Sequence, residues 1–195
     1  MEQDKKDLIT IEPATAEDTE FVATVMIEAV GMPIMEKGET PDEMLTDICR
    51  RTDTLYSWQN AAIARVDGEP AGGLISYEGH GYHEVKLRTF GLVPKDLLTF
   101  DIDKMDDETV DGEYYLDSLA VNPQYRNRGI ASLLLKYGIE KAREKHLLPI
   151  LACDPDNANA LQLYKNLGFR QEGTLFIFGH EFMRMVWRDS SESLS

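Results

Sequence analysis

Apolar positions in this chain switch repeatedly between a period of two and a period near 3.6, the signatures of strands and helices. Leu8-Ile9-Thr10-Ile11-Glu12 alternates and predicts a first strand, which Pro13 to Thr15 breaks. Over residues 16–30 the period lengthens, with Phe21, Val25 and Ala29 recurring every fourth residue beside Val22 and Met26. Thr15 is placed to cap this helix, Glu17, Asp18 and Glu20 lie in its positive first turn, and Gly31 and Pro33 end it. A second helix is expected over 41–51, with Thr40 as cap, Pro41 at the first position and Met44, Leu45 and Ile48 inward. Two short apolar runs, 60–65 and 71–77, flank Asp67-Gly68 and read as a hairpin.

The second half is more regular. A strand over 113–121, a helix over 129–146 and a strand over 148–153 make a βαβ unit, hence parallel pairing and a right-handed crossover. A helix over 157–167 and two strands, 170–177 and 181–187, follow. Between the halves, residues 79–112 hold Gly79, Gly81, Gly91, Pro94 and an acidic run over 101–111. They read as an insertion with one short helix, the acidic run forming a solvated face. With no repeat and no long linker, the chain reads as one domain over 8–188 with flexible tails at 1–7 and 189–195.

Composition narrows the class. No apolar run approaches the ~20 residues of a membrane span, and the first residues lack a signal-peptide core. Cys49 and Cys153 form no C-x-x-C pair, which suits a reducing, cytoplasmic setting. A net charge of −15 argues against nucleic acid, and suits solubility first and a cationic acceptor second. In so acidic a chain the turn Arg126-Asn127-Arg128-Gly129-Ile130-Ala131 stands out. It sets a glycine and a small residue at a helix mouth, where free N–H groups and the helix dipole form an anion site. A phosphate-bearing ligand is the expected occupant.

That turn, with Arg126, Gly129 and Ala131 after Leu119-Ala120-Val121, resembles the acetyl-coenzyme A pyrophosphate loop of the GNAT superfamily of N-acyltransferases. A second family motif resembles Asn157, Ala160, Leu163, Tyr164, Gly168 and Phe169, one βαβ unit downstream. The likeness is close over about 113–173 and a matter of layout before that. It implies an α/β fold, a mostly antiparallel mixed sheet with one parallel pair and helices on both faces. It also implies acetyl-coenzyme A as cosubstrate, an amine acceptor (small molecule or peptide N-terminus), direct transfer and no metal. A homodimer is left open.

On the resemblance, Asn127, Arg128, Gly129, Ile130, Ala131 and Ser132 with Arg126 would hold the pyrophosphate. Leu119, Ala120 and Val121 would meet the pantetheine through backbone groups, and Asn157 would touch the cofactor. Each has a structural reading beside it: a strand-to-helix turn, a buried strand, an N-cap. Tyr164 would protonate the departing thiolate, or else only staple the helix end against Phe169 after Gly168. Asp117, the one acid within 114–121, is either the base that takes the amine proton or a hydrogen-bonded structural carboxylate. Glu113, a water chain or a residue of the insertion are the other candidates for that base. His80, His83 and Glu84 read as surface residues rather than metal ligands, and Cys153 as a small buried thiol. The rival functions are a non-catalytic acyl-coenzyme A sensor and an interaction module.

Overall fold

The computed structural model describes residues 8–30 and 41–189. Its strands are β1 (Ile9–Pro13), β2 (Ala61–Val66), β3 (Glu69–Glu78), β4 (Glu113–Val121), β5 (Leu148–Cys153), β6 (Phe169–Ile177) and β7 (His180–Trp187). They form one seven-stranded sheet in the order β1-β2-β3-β4-β5-β7-β6. Every pairing is antiparallel except β4 with β5. The helices are α1 (Thr19–Val30), α2 (Pro41–Arg50), α3 (Tyr82–Phe90), α4 (Ile130–Glu144) and α5 (Ala158–Asn166). Among the described residues no helix is long and apolar enough to cross a membrane.

Strand alternation sends side chains to two cores. Ile63, Ile75, Tyr115, Ile150 and Val186 face α1, α2 and α3, where Val22, Met26 and Leu45 are buried. Ala64, Leu74, Leu116, Leu151 and Met185 face α4 and α5, against Leu134, Leu135 and Ile139. Gly138 sets how close α4 comes: a Cβ there would lie 2.6 Å from Leu116 Cδ2 and 2.8 Å from Leu74 Cδ2. The β2–β3 hairpin turns on Asp67-Gly68 alone, with φ of 50° and 92°, the left-handed pair of a two-residue turn. Both strands therefore run closer to the turn than the apolar pattern marks.

The first helix opens with a 3-10 turn over Ala16–Asp18, where the Asp18 carboxylate accepts from the Thr15 N–H at 2.9 Å. The stops assigned to Gly31 and Pro33, the Thr40 cap, and the tails 1–7 and 190–195 lie outside the described residues. The insertion carries the helix α3 and short 3-10 turns at Lys95–Leu97 and Ile102–Lys104. Its acidic run departs from a solvated face. Glu108 and Thr109 are buried, and Asp106 closes on the β6 edge, with its N–H to Phe176 O at 2.9 Å and its carboxylate accepting from Phe176 N at 2.7 Å. Asp107 pairs with the buried Lys86 ammonium at 2.6 Å. The surrounding acids make the run look soluble, while its middle is tied into the core.

Candidate active site

One irregularity opens the sheet. Ile75 pairs with Ser118 and Ser76 with Leu116, so Asp117 is an extra residue bulged out of β4. A bulge bends and twists its strand. β4 keeps β5 as neighbour only over Glu113, Tyr114 and Tyr115, then diverges, while Leu151 to Cys153 stay paired with β7. The gap holds a cleft of about 520 Å³. Because it interrupts the sheet, its lining comes from both faces. Leu119, Val121, Tyr125, Ile130, Leu163 and Tyr164 belong to the α4–α5 side, and Tyr115, Ile177, Phe178 and Phe182 to the α1–α3 side.

On the first side stands the α4 N-terminus. Asn127 and Gly129 are left-handed, with φ of 63° and 79°, which turns the chain sharply into the helix. The ladder starts with Leu133 N donating to Gly129 O at 3.1 Å. The N–H groups of Ile130, Ala131 and Ser132 precede it, and no side chain caps them from Gly129. A Cβ built on Gly129 meets nothing within 4 Å, so the space before these donors is open. Arg126 donates from Nε to Val121 O at 3.0 Å, tying the turn to the end of β4. The Arg128 guanidinium sits 5.4 Å from the centroid of the Tyr125 ring.

Tyr164 takes the stapling position and also presents its hydroxyl to the cleft. Its ring meets Phe169 edge-on, centroids 6.1 Å apart, next to Gly168 at φ 100°. Its hydroxyl has no hydrogen-bond partner among the described residues and the side chain lines the cleft. Burial, with the Cys153 thiol nearby, pushes its pKa up to about 12, so it carries a proton at neutral pH. Asn157 caps α5, its Oδ1 accepting from Ala160 N at 3.1 Å. Burial also raises the Cys153 thiol above its ordinary value, and Cys153 Sγ lies 3.4 Å from Asp154 O, which leaves a poor nucleophile.

On the opposite side two carboxylates share the lining. Asp117 accepts from the Tyr77 hydroxyl and, at 2.8 Å, from Ser118 Oγ. Glu108 accepts from Tyr82 at 2.7 Å and from Tyr115 at 2.5 Å. Burial lifts both above the usual carboxylate range, and the Asp117 charge lifts Glu108 further against the pull of its tyrosine bonds. The three tyrosines pack together around them, Tyr77 stacked on Tyr82 at 6.2 Å and edge-on to Tyr115 at 5.9 Å.

The cleft thus gathers Asp117, Leu119, Val121, Arg126, Asn127, Gly129, Ile130, Ala131, Ser132, Asn157 and Tyr164. Ala120 packs instead toward the α1–α3 core, and Arg128 lies outside the lining. Glu113 faces away: it pairs with Arg184 and accepts from Val110 N at 3.1 Å, leaving no cleft-facing base there. His80 and His83 are exposed beside Asp111 and Asp107. Sequence reasoning missed Glu108, Tyr77, Tyr82, Phe178 and Phe182. Nothing in the spacing separates Glu108 from its acidic neighbours. Tyr115 was missed too, although it stands two residues before Asp117 in β4.

The model of the acetyltransferase (GNAT) family matches residues 27–169. No curated protein matches the chain significantly. Among solved structures, an N-acetyltransferase from Staphylococcus aureus Mu50 superposes with a TM-score of 0.77 at 25% identity, over 91% of this chain and 99% of that one. A second acetyltransferase gives 0.73 at 26% identity, over 92% and 98%. The PaiA N-acetyltransferase from Thermoplasma acidophilum, in complex with coenzyme A, shares the fold: TM-score 0.57, 16% identity, over 93% and 99%.

Proposed function

This chain belongs to the acetyltransferase (GNAT) family, and from that premise we propose that it moves an acetyl group from acetyl-coenzyme A directly to a primary amine. The observation that carries the reading is a coincidence in one cleft. The free N–H groups of α4, the β4 edge that β5 abandons and the unpartnered Tyr164 hydroxyl all meet there.

The residues fit the cosubstrate. Ile130, Ala131 and Ser132 offer backbone donors and the helix dipole to a pyrophosphate, and open space before Gly129 admits it. The edge from Leu119 to Val121 offers backbone groups to an extended amide-bearing arm, as an added strand would use them. The bound thioester supplies an activated acetyl carbon. Asp117, held by Tyr77 and Ser118, takes a proton from the amine as its nitrogen bonds to that carbon. Burial raises its pKa above the ordinary value, which makes it a stronger base than an exposed carboxylate. As the carbon–sulfur bond breaks, Tyr164 gives its proton to the sulfur. Burial of Tyr164 keeps that proton available.

Calorimetric titration with acetyl-coenzyme A, followed by thiol release on adding primary amines, tests the reading. Binding without amine-dependent thiol release would make the protein a sensor. No binding would leave neither.

A further inference from the structure

Resting on that reading, we infer that the acceptor is a cationic amine carried on an apolar, preferably aromatic, body, and that Glu108 is the residue that selects it.

The cleft carries an imbalance of charge. Glu108 and Asp117 face the cleft and are held by four hydroxyls, those of Tyr82, Tyr115, Tyr77 and Ser118. Hydroxyls orient a carboxylate without neutralising it, and each oxygen keeps a lone pair for another donor. Lys86 and Arg184, on neighbouring elements, are engaged elsewhere. Lys86 donates to Met105 O at 3.1 Å and Asp106 O at 3.3 Å and pairs with Asp107, so it acts on Glu108 through its charge alone, without a hydrogen bond. Arg184 pairs with Glu113. Among the described residues the lining contains one basic side chain, Arg126, at the α4 end. Asp154 adds a further negative charge to the wall. A buried and a half-buried carboxylate with no cation paired to them among the described residues are costly, and an ammonium entering the cleft relieves both.

The remaining wall is apolar. Phe178 sits at φ 52° beside Gly179 at 86°, in the tight turn between β6 and β7. Phe100 and Phe90 meet it edge-on at 5.1 and 6.2 Å, which fixes the ring at the cleft. Ile177 and Phe182 continue this surface. An aromatic body can pack edge-on against such rings. A polyamine would lay its further charges against phenylalanine, and an amino acid would bring its carboxylate against Glu108, Asp117 and Asp154. Charge chooses the ammonium and the phenylalanines choose what carries it.

The test uses the native full chain at saturating acetyl-coenzyme A, with phenethylamine, phenylalanine and spermidine as acceptors. Phenethylamine is expected to exceed each of the others in kcat/KM by about tenfold or more. Glu108→Gln keeps the shape and removes the charge. It should raise KM for phenethylamine roughly tenfold, change kcat less, and leave acetyl-coenzyme A affinity unchanged. Phenylalanine or spermidine matching phenethylamine overturns the inference, as does an unchanged KM in folded Glu108→Gln. Should that variant not fold, the ranking on the native protein decides alone. Failure of the native chain to bind acetyl-coenzyme A would remove the functional reading and this inference together, whereas intact binding with an inverted ranking removes only the inference.

Discussion

The two sides of the cleft are built on different principles. The α4–α5 side is backbone: a left-handed turn, three free N–H groups and a strand edge, all within Leu119 to Ser132. The α1–α3 side is side chain: Tyr77, Tyr82, Glu108, Tyr115, Asp117 and Phe178, gathered from four separate stretches of chain. A backbone site needs a fixed local order of small and turn-forming residues, so it leaves a motif. A side-chain site needs only that the fold bring certain groups together. The first side can stay constant while the second changes its acceptor.

The largest effect is expected where the two sides meet. Asp117→Asn keeps the size of the bulged residue and removes the base, so amine turnover should fall ~10²–10⁴-fold. Rates with a saturating amine, beside acetyl-coenzyme A affinity, are the measurement. Native turnover would hand the proton to another group, and lost affinity would place Asp117 on the cosubstrate side.

Next in size is the backbone side. A hundredfold excess of ligand over its dissociation constant stabilises a fold by ~2.7 kcal/mol. Gly129→Glu should abolish that gain by setting bulk and negative charge before the free N–H groups. At φ 79° any side chain also strains the backbone, by about 1–3 kcal/mol. Gly129→Ala is therefore the control: its Cβ meets nothing within 4 Å, so it should lose unliganded stability and keep the ligand-induced rise in midpoint. An undiminished rise in Gly129→Glu would move the phosphate site elsewhere.

Legibility in the sequence follows the same division. The bounds of β4 and β5 were readable to the residue because each is an apolar run with polar flanks. The α4 mouth was readable because glycine there answers a backbone demand. The bulge was not, since one extra residue in an apolar strand leaves the alternation ambiguous by one step. Glu108 was not, because burial of one acid among the six of the run depends on Tyr82 and Tyr115 arriving from α3 and β4. Asp117 was visible as an anomaly while its partner Tyr77, forty residues away, was not.

Tyr164→Phe is the third test, and it separates the general-acid reading of this residue from the packing one. Phenylalanine keeps the edge-on contact with Phe169, so the thermal midpoint and acetyl-coenzyme A affinity should stay near native. Turnover should fall about a hundredfold, the lower end for a general acid, because a thiolate leaves fairly well unaided. Full turnover would reduce Tyr164 to packing.

The smallest effect belongs to the acceptor side, and its sign is fixed by the direction of two pKa shifts. Glu108 and Asp117 are raised in the folded chain above their ordinary values of 4.5 and 3.8. Below those values both states are protonated and the fold carries no penalty. As pH rises past them the unfolded chain ionises first, and the folded chain is held back by burial and by the repulsion between the two carboxylates. Stability from this pair is therefore present in acid and lost as pH climbs through the folded pKa values. Against their burial, Asp18 is shifted the other way by the Thr15 N–H and Arg65, and Asp107 by Lys86 and His83, so their loss in acid opposes the trend at its lower end. The difference between native and Glu108→Gln isolates the pair. Denaturant midpoints across pH should show the variant gaining on the native protein as pH rises above 4.5. The gain should shrink when an amine occupies the native site, because an ammonium between Glu108 and Asp117 removes the repulsion that the substitution removes. A flat difference across pH would mean that Lys86 already neutralises Glu108, and the acceptor side would then lack the unbalanced charge that sets it apart from the backbone side.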